Sequence, residues 1–206
     1  MKRIAVFVSG RGSNFASILK KIQSGDIPAQ ICCVISDHTH PPAFDIAREA
    51  HIPTHWVGRK QFKEPHEYAD FVLALLAQYG VELIVLAGYM KLIPSPVVHK
   101  YPNAIMNIHP ALLPNFGGKG YYGKKVHEAV LASGVKITGV TVHFVDEHYD
   151  TGPIILQERV DVLPDDTPET LAARVLQVEH QAFPKAVKAC CENRLSVHNR
   201  EVIWQE

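Results

Sequence analysis

Arg3-Ile4-Ala5-Val6-Phe7-Val8-Ser9-Gly10-Arg11-Gly12-Ser13-Asn14 is the stretch that decides the fold class. Arg3–Val8 is a β-branched run without polar alternation, the pattern of a strand covered on both faces. Ser9-Gly10-Arg11-Gly12 then reads as a turn. From Asn14 to about Ser24, Phe15, Ile18, Leu19 and Ile22 recur at helical spacing until Gly25 stops the run. A buried strand feeding a helix through a glycine-rich turn is the opening of an α/β unit.

The same alternation continues outward from this stretch. Ile31–Ile35 reads as a second buried strand, Ala43–Ala50 as a short helix and Thr54–Val57 as a short strand. Glu64–Tyr79 reads as an amphipathic helix ended by Gly80, and Leu83–Ala87 as an apolar strand bounded by Gly88. Apolar strands separated by helices predict a mostly parallel central sheet flanked by helices, with a Rossmann-like N-terminal half. Ligands in such sheets sit at the carboxyl ends of strands, near the reversal of strand order. Ser9–Asn14, Gly88–Lys91 and Asn107–Pro110 each follow an apolar strand, so they are expected at one rim.

The second half is less regular. Ala104–Ile108 reads as a strand, Pro110–Lys124 as a glycine-rich loop and Val126–Ser133 as a helix. Ile137–Val145 and Ile154–Val160 read as strands and Leu195–Trp204 as a hairpin. Thr167-Pro168-Glu169 opens a long helix to Cys191, with a capping residue followed by proline at the first helical position. No repeat or linker interrupts the chain, so one α/β domain over residues 1–206 is expected.

Composition narrows the function classes. The 21 Lys and Arg balance the 21 Asp and Glu, so no basic excess offers a footprint for nucleic acid or an anionic membrane. No run approaches the roughly 20 apolar residues that span a bilayer. The start, MKRIAVFVSG, lacks a signal-peptide cleavage pattern, and a cytoplasmic location is expected. The four cysteines form two adjacent pairs, Cys32–Cys33 and Cys190–Cys191, which neither bridge easily nor carry zinc-ligand spacing. Reduced, mostly buried thiols and no metal site are expected.

Four segments carry candidate chemistry. In Ser9–Asn14, glycines allow tight backbone geometry and a helix N-terminus offers N–H groups to an anion. Phe15 occupies the place of the third glycine of a dinucleotide fingerprint, so a single phosphate suits the loop better. A plain strand-to-helix turn is the other reading. In Asn107-Ile108-His109-Pro110, positions i and i+2 of an extended segment share a face. An amide beside an imidazole suits oxyanion stabilisation and proton handling; a strand-end Asn and an ordinary His are the alternative. Val142–Pro153 runs from a strand into an acidic loop in which Asp150 could raise a nearby imidazole's pKa. His143 there could equally be a core histidine. Leu86–Ile93 could wall a flat heteroaromatic ligand or simply pack the core.

Taken together and in order, SGRGSN, LAGYMKLI, NIHPALLPNFGGKGYYGKKVHEAV, TVHFVDEHYDTGPII and RVLQVEH resemble the glycinamide ribonucleotide formyltransferase family, from about Arg3 to Val197. The resemblance implies a folate-dependent enzyme of de novo purine biosynthesis. It would move a formyl group from 10-formyltetrahydrofolate, a co-substrate, to the amine of glycinamide ribonucleotide. It implies His109 as proton donor, Asn107 as the amide on the formyl oxygen and Asp150 as the carboxylate supporting the histidine. Gly12, Ser13 and Asn14 would grip the ribonucleotide phosphate, and Glu179 the ribose hydroxyls. Met90, Lys91, Leu92 and Ile93, with Asn107 and the loop from Val145 to Asp150, would contact folate. Pro114 matches a proline commonly preceded by a cis bond. Residues 1–100 would form the phosphate-binding half and 101–206 the catalytic and folate half.

Two positions depart from the pattern. Leu176 and Pro65 stand where relatives often carry polar or basic residues, with Gln177 and Lys63 nearby. A methionyl-tRNA formyltransferase would be expected to add a C-terminal barrel and a basic face, whereas only about 15 residues follow the last predicted helix here. The alternatives kept are a formyltetrahydrofolate deformylase and a non-catalytic nucleotide-binding module. Small-molecule substrates without nucleic acid or membrane are expected, as a monomer or homodimer.

Overall fold

In a computed structural model, which describes residues 1–205, the apolar runs become β1 (Lys2–Val8), β2 (Ala29–Ser36), β3 (Thr54–Trp56) and β4 (Leu83–Leu86). Between them lie α1 (Ser13–Gln23), α2 (Ala43–Glu49) and α3 (Pro65–Gln78), followed by a short helix α4 (Ser95–Lys100). The remainder comprises β5 (Ile105–His109), α5 (Lys124–Ser133), β6 (Ile137–Phe144), β7 (Ile154–Asp161), α6 (Pro168–Cys191), β8 (Leu195–His198) and β9 (Glu201–Trp204). The seven-stranded sheet has the order β3-β2-β1-β4-β5-β6-β7, and β8 and β9 pair separately. The chain divides into two compact units, Met1–Met106 and Asn107–Glu206.

In the first unit β1 runs parallel to both β2 and β4, and β2 parallel to β3. The absence of polar alternation in β1 has its expected consequence: Ile4, Ala5, Val6 and Val8 are fully buried. Helix α1 buries Phe15 and Ile18 completely. Each side chain of that kind contributes about 1.5–3 kcal/mol when buried, which outweighs the lack of a side-chain cap at its start. The chain moves from β1 to β2 to β3 on one side, then returns to place β4 on the other side of β1. The reversal of strand order therefore lies between the carboxyl ends of β1 and β4.

In the second unit β6 and β7 form an antiparallel pair in register from Ile137↔Asp161 to Val142↔Leu156. A bulge follows at His143, which pairs with Ile154. Gly139 and Gly152 are required by close approach: a Cβ would stand 2.1 Å from the Glu158 oxygen and 1.8 Å from the Phe144 oxygen. Helix α6 starts from Thr167, whose hydroxyl accepts from the Thr170 amide while Thr170 Oγ1 accepts from the Thr167 amide. It continues through Pro184, buried between Phe183 and Ala186 on the apolar face. Among the described residues no helix is long and apolar enough to cross a membrane. The four cysteines form no disulfide and are buried.

Candidate active site

The first unit ties three strand ends together through Ser9. Its hydroxyl donates to Asp37 Oδ1 (2.6 Å), just beyond β2, and accepts from the Met90 amide (2.9 Å), beyond β4. The Ser9 amide donates to the Gly88 oxygen (3.1 Å). Ser9–Asn14 and Gly88–Lys91 thus meet at the reversal point, as the rim argument expected. Gly12 precedes α1 with φ 76°, a left-handed conformation that glycine adopts without penalty. A Cβ there would also stand 2.6 Å from the Ala43 Cβ, so α2 leaves no room for a side chain. Ser13 and Asn14 open α1, whose first turn carries no acidic residue and so presents its amide end to an anion without competition.

Asp37 is the residue that sequence reasoning missed in this unit. Its side chain is buried, with Lys91 Nζ at 3.9 Å and His38 Nε2 at 3.6 Å. Its position directly after an apolar strand, like Ser9 and Gly88, is the signal that could have found it. Met90 and Leu92 are exposed at the rim, but the Ile93 side chain is packed into the core, 2% exposed. Only the first two present apolar surface outward.

In the second unit Asn107, His109, His143 and Asp150 converge. Asn107 Nδ2 lies 3.1 Å from His143 Nε2 and 3.4 Å from Asp150 Oδ1. His109 Nδ1 lies 3.5 Å from Asp150 Oδ2. The alternation of β5 puts Asn107 and His109 on one face, as predicted. Asp150 reaches them from the loop after β6, with φ 57° and a further bond from the Gly118 amide to its Oδ2 (2.9 Å). Left-handed backbone is uncommon at a non-glycine residue and is held here by the carboxylate's contacts. Gly117 lets that approach happen, since a Cβ there would meet Leu113 Cδ2 at 2.3 Å and Asp150 Cβ at 3.3 Å.

Hydrogen-bond partners assign the protons. The Phe144 oxygen, 2.7 Å from His143 Nδ1, requires a proton on that nitrogen, which leaves Nε2 to accept from the Asn107 amide. His143 is therefore part of the cluster and no isolated core histidine. The Phe116 oxygen, 2.8 Å from His109 Nε2, likewise requires a proton there. The titrating nitrogen of His109 is thus Nδ1, which faces the Asp150 carboxylate.

Burial pushes the His109 pKa below its ordinary value, and the Asp150 carboxylate and Phe116 carbonyl only partly oppose that shift. The expected upward pull of Asp150 is present but is not the largest influence. The carboxylate is in place and acts in that direction, but a ring 4% exposed loses more from desolvation. For Asp150 the balance is reversed. Burial raises its pKa, but the facing His109 ring and the Gly118 amide help to bring it below the ordinary value, so it stays ionised.

Two further features of this unit were not evident in the sequence. Thr141 Oγ1 donates to the Ala111 oxygen (2.7 Å) and accepts from the Leu113 amide (3.1 Å), and Gln157 Nε2 bonds Thr141 Oγ1 and the Leu113 oxygen. These bonds shape the segment after His109, which contains the cis Leu113–Pro114 bond. His127 on α5 is buried, and its Nδ1 has no hydrogen-bond partner among the described residues. Glu179 is buried on α6, 7% exposed. Among the described residues no three His, Cys, Asp or Glu side chains are grouped to hold a metal ion.

With this geometry established, comparisons with known proteins are informative. A profile of the family described as formyl transferase matches residues 2–187. The chain is 46% identical over 195 residues to a Vigna unguiculata protein named phosphoribosylglycinamide formyltransferase, chloroplastic, covering 94% of this chain and 62% of that one. It therefore spans less than two thirds of that relative's length. Glycinamide ribonucleotide transformylase 1 from Symbiobacterium toebii superposes with a TM-score of 0.94 at 38% identity, covering 100% of this chain and 95% of that one. A formyltetrahydrofolate deformylase from Pseudomonas syringae pv. tomato superposes with a TM-score of 0.89 at 29% identity, covering 100% of this chain and 66% of that one.

Proposed function

Because this chain belongs to the formyl transferase family, we propose that it transfers the formyl group of 10-formyltetrahydrofolate to the amine of glycinamide ribonucleotide, a step of de novo purine biosynthesis. The observation that carries the reading is the Asn107–His109–Asp150 cluster in a chain so similar to relatives of that name. In this reading the unit Met1–Met106 supplies the phosphate-binding loop, through Gly12, Ser13 and Asn14. The unit Asn107–Glu206 supplies the catalytic groups, with Glu179 on the ribose hydroxyls. Met90 and Leu92 offer apolar contacts to folate; Lys91 and the backbone around Ile93 complete that edge.

The chemistry is a direct transfer. The C–N bond to folate breaks, a C–N bond to the acceptor amine forms, and one proton passes from that amine to the folate nitrogen. No cysteine enters, since all four are buried on β2 and α6 and none falls in the strand-end motifs. Asn107 exchanges its weaker contact, the 3.4 Å one to Asp150, for the formyl oxygen and stabilises it as negative charge develops. One such donor typically contributes about 2.7–4 kcal/mol to the transition state. Asp150, ionised and 3.5 Å from His109 Nδ1, collects the amine proton through water and favours its presence on the ring. His109 then returns it to the leaving nitrogen. A ring held below its ordinary pKa releases a proton readily, which suits a general acid acting within a turnover.

The test is loss of 10-formylfolate absorbance with and without glycinamide ribonucleotide. Turnover that needs the amine and yields a formylated amine is the expected result. Hydrolysis at the same rate without acceptor would make the protein a deformylase, and nucleotide binding without any turnover would make it a binding module.

A further inference from the structure

The C-terminal hairpin has no part in the chemistry above, yet it reaches the loop that carries Asp150. Asn199 and Arg200 join β8 to β9 with φ of 47° and 71°, the left-handed pair of a tight two-residue turn. The hairpin is seated by Trp204, whose indole Nε1 donates to the Ile155 oxygen of β7 at 2.9 Å. From its tip, Arg200 Nη2 lies 3.3 Å from Asp146 Oδ2 and also donates to the Thr151 backbone oxygen. Asp146 in turn accepts from the Thr151 hydroxyl (2.7 Å) and the His148 amide (3.1 Å). One guanidinium thereby closes both ends of the 146–151 segment.

We propose that Arg200 is a positioning residue that latches this segment so that Asp150 stands in its left-handed conformation beside Asn107 and His109. A segment held in sparsely populated backbone needs surroundings that over-determine it. On its inner side Asp150 has Asn107, His109, His143 and the Gly118 amide. On the outer side the segment's charged anchor is Arg200. The Arg200 side chain is 64% exposed, so it packs no core and its removal leaves the fold standing. An exposed pair of this kind is weak, so its effect falls on the balance between loop conformers, not on global stability. A contribution at the upper end for exposed ion pairs corresponds to about a fivefold change in the ratio of the working conformer to the others.

The catalytic consequence rests on the formyl-transfer reading, so the test has an arm independent of turnover. Arg200→Ala and Arg200→Lys in the full chain are compared with wild type by amide hydrogen exchange and by steady-state kinetics. Arg200→Ala is expected to speed exchange across residues 146–152 and at Gly118, leaving β6, α6 and the melting temperature unchanged. Its kcat is expected to fall by about two- to fivefold, with Arg200→Lys restoring part of both. Wild-type exchange rates in the alanine variant would overturn the latch. Faster loop exchange with unaltered kcat would overturn its positioning role. If wild type itself transfers no formyl group, the functional reading falls while the exchange arm still decides whether the latch exists.

Discussion

At His109 two opposed influences act on one nitrogen. Burial disfavours charge on the ring, while Asp150 Oδ2 at 3.5 Å favours it. The balance makes a direct prediction: the His109 resonance titrates below the ordinary histidine range. Asp150→Asn lowers it further, because the neutral amide no longer offsets the desolvation. Proton-detected or carbon-detected NMR titration of the imidazole checks this, and an upward shift in Asp150→Asn would contradict the assigned contact. At this scale the sequence was readable where residues lie close along the chain. Asn107 and His109 are two apart on a strand, so their shared face follows from pleat alone. His127 and Arg200 carried no comparable signal, because the burial of the one and the contacts of the other are set only by tertiary packing, whereas Asp37 shares the strand-end position of Ser9 and Gly88.

At the scale of elements, strands and helices with a clear period matched their predicted bounds within one or two residues. The apolar β1, β2 and β4 and the caps of α3 and α6 are instances. Helix α4 escaped sequence reading because Pro94-Ser95-Pro96 looks like a loop, although a proline is tolerated in the first helical turn. The bulge at His143 escaped as well, since registry depends on the partner strand. Helix α6 gives this scale its prediction. Thr167→Ala removes the hydroxyl that accepts from the Thr170 amide and is expected to cost about 0.5–2 kcal/mol, read as a lower urea midpoint with an unchanged slope. Unchanged stability would show that the adjacent Asp166–Arg174 pair, with bonds of 2.7 and 2.8 Å, holds the helix start alone.

Over the whole molecule, charge balance and protonation set the response to pH. Burial holds His55, His109, His127 and His180 below their ordinary pKa. A base whose folded pKa is lowered contributes stability above its unfolded value, and that contribution is lost as pH falls through the window beneath it. Unfolding free energy is therefore expected to decline on acidification from about pH 7 to 5, since the unfolded state binds more protons there. The carboxylates of Asp146 and Asp150, lowered in the folded state, add a second loss only below about pH 4. Melting temperatures across that range would show a flat or rising trend on acidification if the buried rings were charged.

The proposal that one amide, one imidazole and one carboxylate of the second unit carry out the transfer is tested most directly by single-turnover rates. Asn107→Ala, His109→Ala and Asp150→Asn would be measured with both substrates saturating. Each folded variant is expected to lose about 10²–10³-fold in rate, with substrate dissociation constants little changed. Near-wild-type rates in all three would contradict the account.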